Sequence, residues 1–216
     1  MKLFLSKLVE RLSKLAPLLI GAFWVVGIYS VVVDPNWGSL LSLVFFIYLA
    51  PVLMYRLIAI FIPVQRGMQY LSDSKAASGW VIAHRFQLIY YNFEFVESAL
   101  KLIPGVYSFW LRLWGSKIGK RVYWTPHTRV GDRTMLDFGD NVFIGNATYI
   151  SPHVVKAKGE SFVLLIEPVK LNSNTFVGTH CVLGPGATLE KGQVLPPFTA
   201  LIGKKARKID FSEVQL

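Results

Sequence analysis

Apolar residues recur at every sixth position in the last part of the chain. An α-helix has a period of 3.6 residues and an ordinary strand a period of 2, so neither produces this spacing. A fixed short period is typical of a solenoid, whose turns bury their apolar edges by stacking. Each hexad is therefore predicted to form one flat side of a triangular parallel β-helix. The residues that open the hexads are Leu165, Leu171, Val177, Leu183, Leu189, Leu195 and Leu201, and the fifth positions are Val169, Thr175, Cys181, Ala187, Gln193 and Thr199.

The same frame continues upstream, so the β-helix is predicted over residues 117–203, followed by a basic tail at 204–216. Leu136 and Asp137 are interpreted as a two-residue insertion between hexads. Glycine is frequent at the second position, where we expect a tight corner that needs permissive backbone angles. The upstream hexads open at Ile118, Trp124, Val130, Phe138, Ile144 and Ile150, and the second-position glycines are Gly119, Gly131, Gly139, Gly145, Gly178 and Gly184.

The front of the chain has a different pattern, with two long apolar runs. Pro17 to Val33 carries no charge, and Leu40 to Val64 carries only Arg56. Roughly 20 apolar residues cross a bilayer core as a helix. Residues 1–66 are therefore predicted to form an amphipathic N-terminus and two transmembrane helices joined as a hairpin. A buried helical hairpin of a soluble domain is the alternative.

Charge adds a direction to this prediction. The chain has a formal net charge of +10, and cations precede the first apolar run and follow the second, while the link between the runs has none. By the positive-inside rule, both termini and the β-helix are expected on the cytoplasmic side of an integral membrane protein, at the inner membrane if it is bacterial. Membrane lipids are expected partners. Nucleic acid is not, because no nucleic-acid-binding motif is visible. The flanking cations are Lys2, Lys7, Arg11, Lys14 and Arg66.

Residues 67–116 are predicted to be a helical connector rich in aromatic residues. Amphipathic aromatic side chains among scattered cations are typical of segments that lie in the headgroup layer of a membrane. Packing of the same rings against the β-helix or the apolar helices is the other interpretation, and the sequence does not separate the two. His84 lies in this connector and is expected to be interfacial rather than catalytic.

Two stretches of the repeat carry a family resemblance. Phe138 to His153 reads FGDNVFIGNATYISPH, and Leu171 to His180 reads LNSNTFVGTH after an intervening loop. With the later LGPGATL run at 183–189, they resemble the hexapeptide-repeat acyltransferases. The resemblance covers about the last hundred residues. It implies a left-handed β-helix, a homotrimer, and an acyl-CoA co-substrate such as acetyl-CoA lying between adjacent β-helices.

The resemblance also implies roles for individual residues. A histidine just before an excursion from the repeat acts as general base in this family, and His153 occupies that place ahead of the irregular loop Lys156 to Leu164. Gly178 is a candidate for donor binding. The segment GKKARKI at 203–209 replaces a terminal Gly-Asn-Pro-Ala-Lys-like segment, and its cations Lys204, Lys205, Arg207 and Lys208 are expected at the donor phosphates, with a membrane-facing basic patch as the alternative.

Register ranks the remaining histidines. His127, His153 and His180 all stand at the fourth position of their hexads. If the loop has nine residues, His153 and His180 lie one coil apart on the same edge, so His180 is the second catalytic candidate, for substrate binding or proton sharing. His127 falls on another edge and is expected to be structural. Cys181 fills an inward position and is expected to be a buried thiol. No metal site is predicted, since a single cysteine excludes a Cys-based zinc cluster.

These features together predict a membrane-anchored acyltransferase that transfers an acyl group to a hydroxyl or amine of a membrane-associated acceptor. Tethering raises the effective concentration toward acceptors held in the same membrane. The chain is also similar to the membrane-bound terminal modules of poly-lysine-type peptide synthetases. Because of that similarity, an alternative function remains open, in which the chain is a module that forms an amide or ester bond and uses a carrier-protein thioester as the donor. A non-catalytic β-helix scaffold of a membrane enzyme complex is the alternative from a different class.

Overall fold

The structure is a computed structural model that describes residues 8–71 and 78–208. The expected cations Lys2 and Lys7 and the tail beyond residue 208 lie outside the described residues. The chain divides into two compact units. The first comprises Met1–Gln65 and Gln69–Glu94, and the second comprises Arg66–Met68 and Phe95–Leu216.

The first unit contains two long apolar helices. The first runs over Leu8–Val33, with a 3-10 turn at Ser13–Leu15 ahead of its regular part, α1 (Ala16–Val33). The second runs over Trp37–Phe61 and consists of α2 (Trp37–Val44), a π-helical turn at Phe45–Leu49, and α3 (Ala50–Phe61). The prediction of two long apolar helices in the front of the chain is confirmed.

The ends of the second long helix differ from those of its apolar run. The helix begins at Trp37 because Asn36 and Ser39 form a capping box, in which the Ser39 amide donates to Asn36 Oδ1 at 3.0 Å. It ends at Phe61 because Pro63 disfavours helical angles at Ile62, whose φ and ψ are −131° and 73°.

Both helices are long and apolar enough to cross a membrane. In the most apolar 18-residue stretch of each helix, only 17% and 22%, respectively, is buried inside the protein. The core helix of a soluble protein, in contrast, is mostly buried. The low burial favours the transmembrane interpretation over a soluble hairpin, although insertion itself stays a prediction.

Pro51 interrupts the second long helix, and a neighbouring helix compensates. Proline has no amide N–H, so the carbonyl of Ile47 lacks its α-helical donor at this position. Tyr90, a fully buried residue of α4 (Ser78–Asn92), donates its phenolic hydroxyl to the Ile47 carbonyl. The π-helical turn ends at Leu49, two residues before the proline, as expected where the regular pattern of helical hydrogen bonds is broken.

The second unit is a three-sided prism of parallel strands. Four coils each contribute one short strand to each face, in the same order every time. The hexad is therefore one side of the prism, as the spacing predicted. The first face holds β2 (Lys117–Ile118), β5 (Leu136–Phe138), β10 (Val169–Leu171) and β13 (Thr188–Leu189); the second holds β3 (Tyr123–Trp124), β6 (Phe143–Ile144), β11 (Phe176–Val177) and β14 (Val194–Leu195); the third holds β4 (Arg129–Val130), β7 (Tyr149–Ile150), β12 (Val182–Leu183) and β15 (Thr199–Ile202).

Hexad openers fill the inside of the prism, and several of them, such as Ile144 and Val177, have no exposed surface. Two register assignments from the sequence are wrong. Leu165 belongs to a hairpin strand outside the prism. Leu136 and Asp137 are not inserted residues, because they pair in β5 with Val169 and Lys170. The extra length lies in the preceding corner, at residues 132–135.

The reason for the second-position glycines also differs from the prediction. Positive φ angles occur at fourth positions instead, for example at Asn141 with φ 55° and Asn174 with φ 62°. Several second-position glycines are needed for space between coils: a Cβ on Gly145 would stand 2.4 Å from the backbone of Gly178, and one on Gly178 would stand 2.4 Å from Pro197.

A helical segment covers the start of the prism. It comprises α5 (Glu94–Lys101) and α6 (Val106–Trp114), which ends at Gly115 with φ 116°. Trp110 and Trp114 of α6 are buried, and Trp124 in the first coil donates its indole N–H to Ser108 Oγ at 2.9 Å. These aromatic residues of the connector therefore pack against protein, whereas others, such as Phe95 and Phe109, are exposed.

Two antiparallel additions decorate the prism. β8 (His153–Lys158) and β9 (Ser161–Ile166) form a hairpin between the second and third coils. A third strand, β1 (Gly67–Tyr70), pairs with β9, so the sheet has the order β1, β9, β8. At the other end, β16 (Lys205–Lys208) pairs with β15. The beginning of the predicted basic tail is thus a paired strand.

Replacing Tyr90 by phenylalanine tests the hydrogen bond that the Tyr90 hydroxyl donates to the Ile47 carbonyl near Pro51. We expect Tyr90→Phe to lower the free energy of unfolding by about 0.5–1.5 kcal/mol, because the half-buried Ile47 carbonyl loses this hydrogen bond. Tyr29→Phe removes an exposed hydroxyl from α1 and is the matched control. Thermal unfolding in mild detergent measures both, and equal midpoints for the two variants would contradict the assignment.

Candidate functional site

A histidine and a carboxylate meet at the corner that follows the third face. His153 Nδ1 lies 2.5 Å from Asp132 Oδ2. The Asp132 side chain is 1% exposed, whereas that of His153 is 18% exposed. A buried carboxylate therefore holds the inner side of an imidazole that still reaches the surface.

This corner is irregular in the first two coils, which is why the two side chains meet. At most other corners the fourth residue of the hexad has a positive φ, as at Arg121, His127 and His180. His153 and Arg133 are fourth-position residues that do not adopt it. At Arg133 the corner contains the two extra residues, and at His153 the chain leaves the prism as β8. Asp132 is thereby turned toward the next coil.

A buried ion pair anchors the same corner. Arg133, next to Asp132 in the chain, pairs through Nε with Oε1 of Glu97 on α5, and both side chains are buried. Tyr107 approaches the other carboxylate oxygen at 3.5 Å. Burial, and then the negative charge of Glu97, raise the pKa of Tyr107 well above its ordinary value, so its hydroxyl remains a neutral donor.

Backbone contacts complete the frame around the corner. Ser116 Oγ donates to the Arg133 carbonyl at 2.9 Å and accepts from the Leu136 amide at 2.9 Å, so it bridges the two ends of the extra segment. Ser151 Oγ donates to the carbonyl of His153 at 2.8 Å. Asp132 and His153 are thus held by neighbouring groups on both coils.

His180 lies on a different edge from His153, so the predicted pairing of the two is wrong. The strand pairs place His180 in register with Ala147 and His127, at the corner after the second face. Ile150 and Leu171 open consecutive hexads of the prism, and they are 21 residues apart where an uninterrupted repeat would separate them by six. The excursion from the repeat therefore has 15 residues, whereas the sequence analysis assumed a loop of nine. The His180 ring is exposed and stacks on Phe198, with centroids 5.2 Å apart.

The residues predicted for donor binding are dispersed. Gly178 is buried between coils, where the approach of Pro197 gives it a packing role. Lys204 occupies the turn after β15, with its Nζ 3.8 Å from Glu190, and this exposed pair contributes little. Lys205, Arg207 and Lys208 are exposed on β16. Their role toward a donor remains a prediction.

Cys181 is buried inside the coil, as its inward position predicted. Burial raises the pKa of its thiol, which keeps it in the weakly nucleophilic protonated form.

Asp132 is the residue of the candidate site that sequence reasoning missed. The available signal was the length of eight residues between Val130 and Phe138, in a chain where six is the rule. An acidic residue in the lengthened corner could have been paired with His153 had the extra residues been placed there.

The Asp132–His153 pair has a defined chemistry. With Nδ1–H donating to the carboxylate, Nε2 becomes the basic nitrogen of the imidazole. Such a nitrogen removes a proton from an alcohol or amine as it attacks a carbonyl, and the carboxylate stabilises the imidazolium that results.

No protein-family model and no curated protein matches the chain. Among solved structures, a hexapeptide-repeat-containing acetyltransferase of Vibrio cholerae in complex with acetyl coenzyme A is similar at 16% identity over 51% of this chain and 82% of that chain, with a TM-score of 0.34. A second structure of that acetyltransferase gives 15% identity over 54% of this chain and 89% of that chain, with a TM-score of 0.33. At these scores the similarity assigns no activity to this chain.

Removing Glu97 tests the anchor of the corner. Glu97→Ala leaves the Arg133 guanidinium buried without its carboxylate, which costs about 3–5 kcal/mol in such pairs. Glu160→Ala removes an exposed carboxylate from the β8–β9 turn and is the control. The comparison is a chemical unfolding curve for each variant. A loss below about 1 kcal/mol for Glu97→Ala would show that the pair does not hold the corner.

Proposed function

We propose that the protein is a membrane-anchored acyltransferase in which His153 is the general base. The Asp132–His153 contact is the observation that carries the proposal, because it supplies a basic nitrogen at the start of the excursion, where the resembling family has its catalytic histidine. The proposal includes the left-handed β-helix and the homotrimer that the resemblance implies. His180 is left outside the reacting centre because it stands on another edge.

The proposed reaction requires no covalent intermediate on the enzyme. Nε2 of His153 removes a proton from the acceptor hydroxyl or amine while that oxygen or nitrogen attacks the thioester carbonyl carbon. The tetrahedral intermediate then collapses, the carbon–sulfur bond breaks, and the imidazolium returns the proton to the CoA sulfur. Asp132 keeps Nε2 in the basic form before attack and stabilises the imidazolium afterwards.

The two apolar helices support a membrane-associated acceptor. Their exposed apolar side chains suit a lipid environment, and Arg11, Lys14 and Arg66 lie near the ends that the positive-inside rule assigns to the cytoplasm. In the proposed arrangement both termini and the β-helix are cytoplasmic. A lipid or lipid-linked acceptor would then meet the enzyme at high effective concentration.

Loss of the histidine or of the carboxylate tests the mechanism. We expect His153→Ala to slow transfer by roughly a hundredfold or more, because general-base catalysis is lost. Asp132→Asn should slow it by about tenfold or more, because the wrong tautomer is favoured. The assay is release of the CoA thiol from acetyl-CoA in the presence of a membrane lipid extract.

The control for this assay is His127→Ala, which removes an exposed corner histidine on another edge. It should leave the rate unchanged. Equal and measurable rates in His153→Ala and wild type would refute the general-base role, whereas the absence of transfer in wild type would favour the scaffold function.

Binding of the donor is tested separately. The exposed cations of β16 and the turn before it are proposed to meet the donor phosphates, so Lys204→Ala/Lys205→Ala should weaken acetyl-CoA binding by about tenfold or more, the loss expected when a charge-assisted bond is removed. Lys117→Ala/Lys120→Ala, at the opposite end of the prism, is the control. Calorimetry in mild detergent with acetyl-CoA and longer acyl-CoAs measures both. Absence of binding of every CoA ester would favour a carrier-protein thioester as donor.

A further inference from the structure

A second concave site lies within the second unit, away from the Asp132–His153 corner. It is a cavity of about 460 Å³ between the α5–α6 segment and the first coil, near the corner that joins the first and second faces. Binding sites for small molecules are typically of this size. No step of the proposed reaction uses it.

The wall of this cavity is positively charged. Of the twelve described residues that line it, three are cationic, namely Lys101, Arg112 and Arg121, and none is acidic. Arg112 donates to the carbonyls of Ile118 and Gly119 at 2.7 and 2.8 Å, and Arg121 Nε donates to Asn141 Oδ1 at 2.5 Å. These acceptors are uncharged, so the bonds orient both guanidinium groups without cancelling their charge.

Lys101 is positioned from the other side of the cavity. Its Nζ donates to the Thr128 carbonyl at 2.6 Å and lies 4.9 Å from the centre of the Tyr107 ring. The three cations thus come from three separate segments: the end of α5, α6, and the corner after β2. An anion in this cavity would therefore meet positive charge from all three segments.

Three aromatic residues, Tyr107, Tyr123 and Trp124, also line the cavity, and the ring of Tyr123 begins an exposed stripe. Tyr123 lines the cavity and stacks on Phe143 at 5.1 Å, and Phe143 stacks on Phe176 at 4.8 Å. Val194 continues the row on the last coil and is 63% exposed. An apolar stripe therefore runs from the cavity along the outside of the second face.

We propose that this cavity binds the phosphate group of an anionic amphiphile whose apolar chain lies along the Tyr123–Phe143–Phe176 stripe. Guanidinium groups match phosphate oxygens in geometry and charge. Within this stripe only Tyr123 carries a polar group, so its surface suits a hydrocarbon chain better than a polar one. The juxtaposition of the two selects a ligand with both parts, such as a phospholipid with an anionic headgroup. The site does not depend on the proposed acyl transfer.

The test uses the full chain in a neutral detergent and three probes. Dioctanoyl phosphatidic acid carries both phosphate and chains, inorganic phosphate carries only the anion, and dioctanoyl phosphatidylcholine carries the chains under a zwitterionic headgroup. Calorimetry should show binding of the phosphatidic acid, and binding of the other two that is weaker by at least about tenfold. Equal affinity for phosphatidic acid and inorganic phosphate would overturn the role of the stripe.

Two variants assign the binding to the cavity. Arg121→Gln should weaken binding of phosphatidic acid by about tenfold, since one charge-assisted contact is lost. Phe176→Ala shortens the stripe at a residue that does not line the cavity, so it should weaken binding of the phosphatidic acid and leave that of inorganic phosphate unchanged. Lys120→Gln removes the adjacent exposed cation, which does not line the cavity, and should have no effect.

Arg121 is preferred to Arg112 for this test because Arg112 holds two backbone carbonyls, and its loss could unfold the first coil. Thermal unfolding of Arg121→Gln should match that of Lys120→Gln, which shows that the fold is retained. If Arg121→Gln and Lys120→Gln bind phosphatidic acid equally, or if wild type does not bind it, the proposal is refuted.

Discussion

Backbone hydrogen bonding from each coil to the next is the interaction on which the second unit depends. The amides of Gly139, Gly145 and Gly178 each donate to a carbonyl one coil further on, at 2.8 Å. A Cβ on Gly145 or Gly178 would stand 2.4 Å from a backbone atom of the next coil, which explains glycine at these two positions. A residue added within a face would break the register of every later coil. Changes in length are therefore confined to the corners, and the corner after the third face carries Asp132 and His153.

The same constraint explains what the sequence could and could not predict. The strict spacing of residues along the flat faces produces a six-residue pattern in the sequence, so each inward residue from Leu171 onward could be predicted. Corners vary in length, so they produce no such pattern. Leu165 happens to stand six residues before Leu171, which made the excursion look shorter than its 15 residues and placed His180 beside His153. The partner of His153 was missed for a related reason, since the extra residues were assigned to β5 instead of the turn before it.

Two adjacent charged residues at this corner, Asp132 and Arg133, each face a partner of a different kind. Asp132 faces the imidazole of His153, and the adjacent Arg133 faces Glu97 on α5. Replacement of a buried ion pair by apolar residues is often neutral or stabilising, so such a pair is weak evidence for stability alone. Here the pair ties a lengthened turn to a helix outside the repeat. A turn without that tie would have several ways to accommodate two extra residues, and the carboxylate beside them would have no fixed direction.

The strand β16 has a consequence for how copies of the prism meet. The last coil of a solenoid presents open backbone groups that could template another chain, and natural proteins protect such edges. In the described part of the chain, β16 folds back on β15 and occupies the edge of the third face with a strand carrying Lys205, Arg207 and Lys208. The edges of the other two faces end in β13 and β14, strands of only two residues each. Because coils stack through all three faces at once, the covered and cationic edge of the third face is enough to oppose end-to-end growth into a fibre.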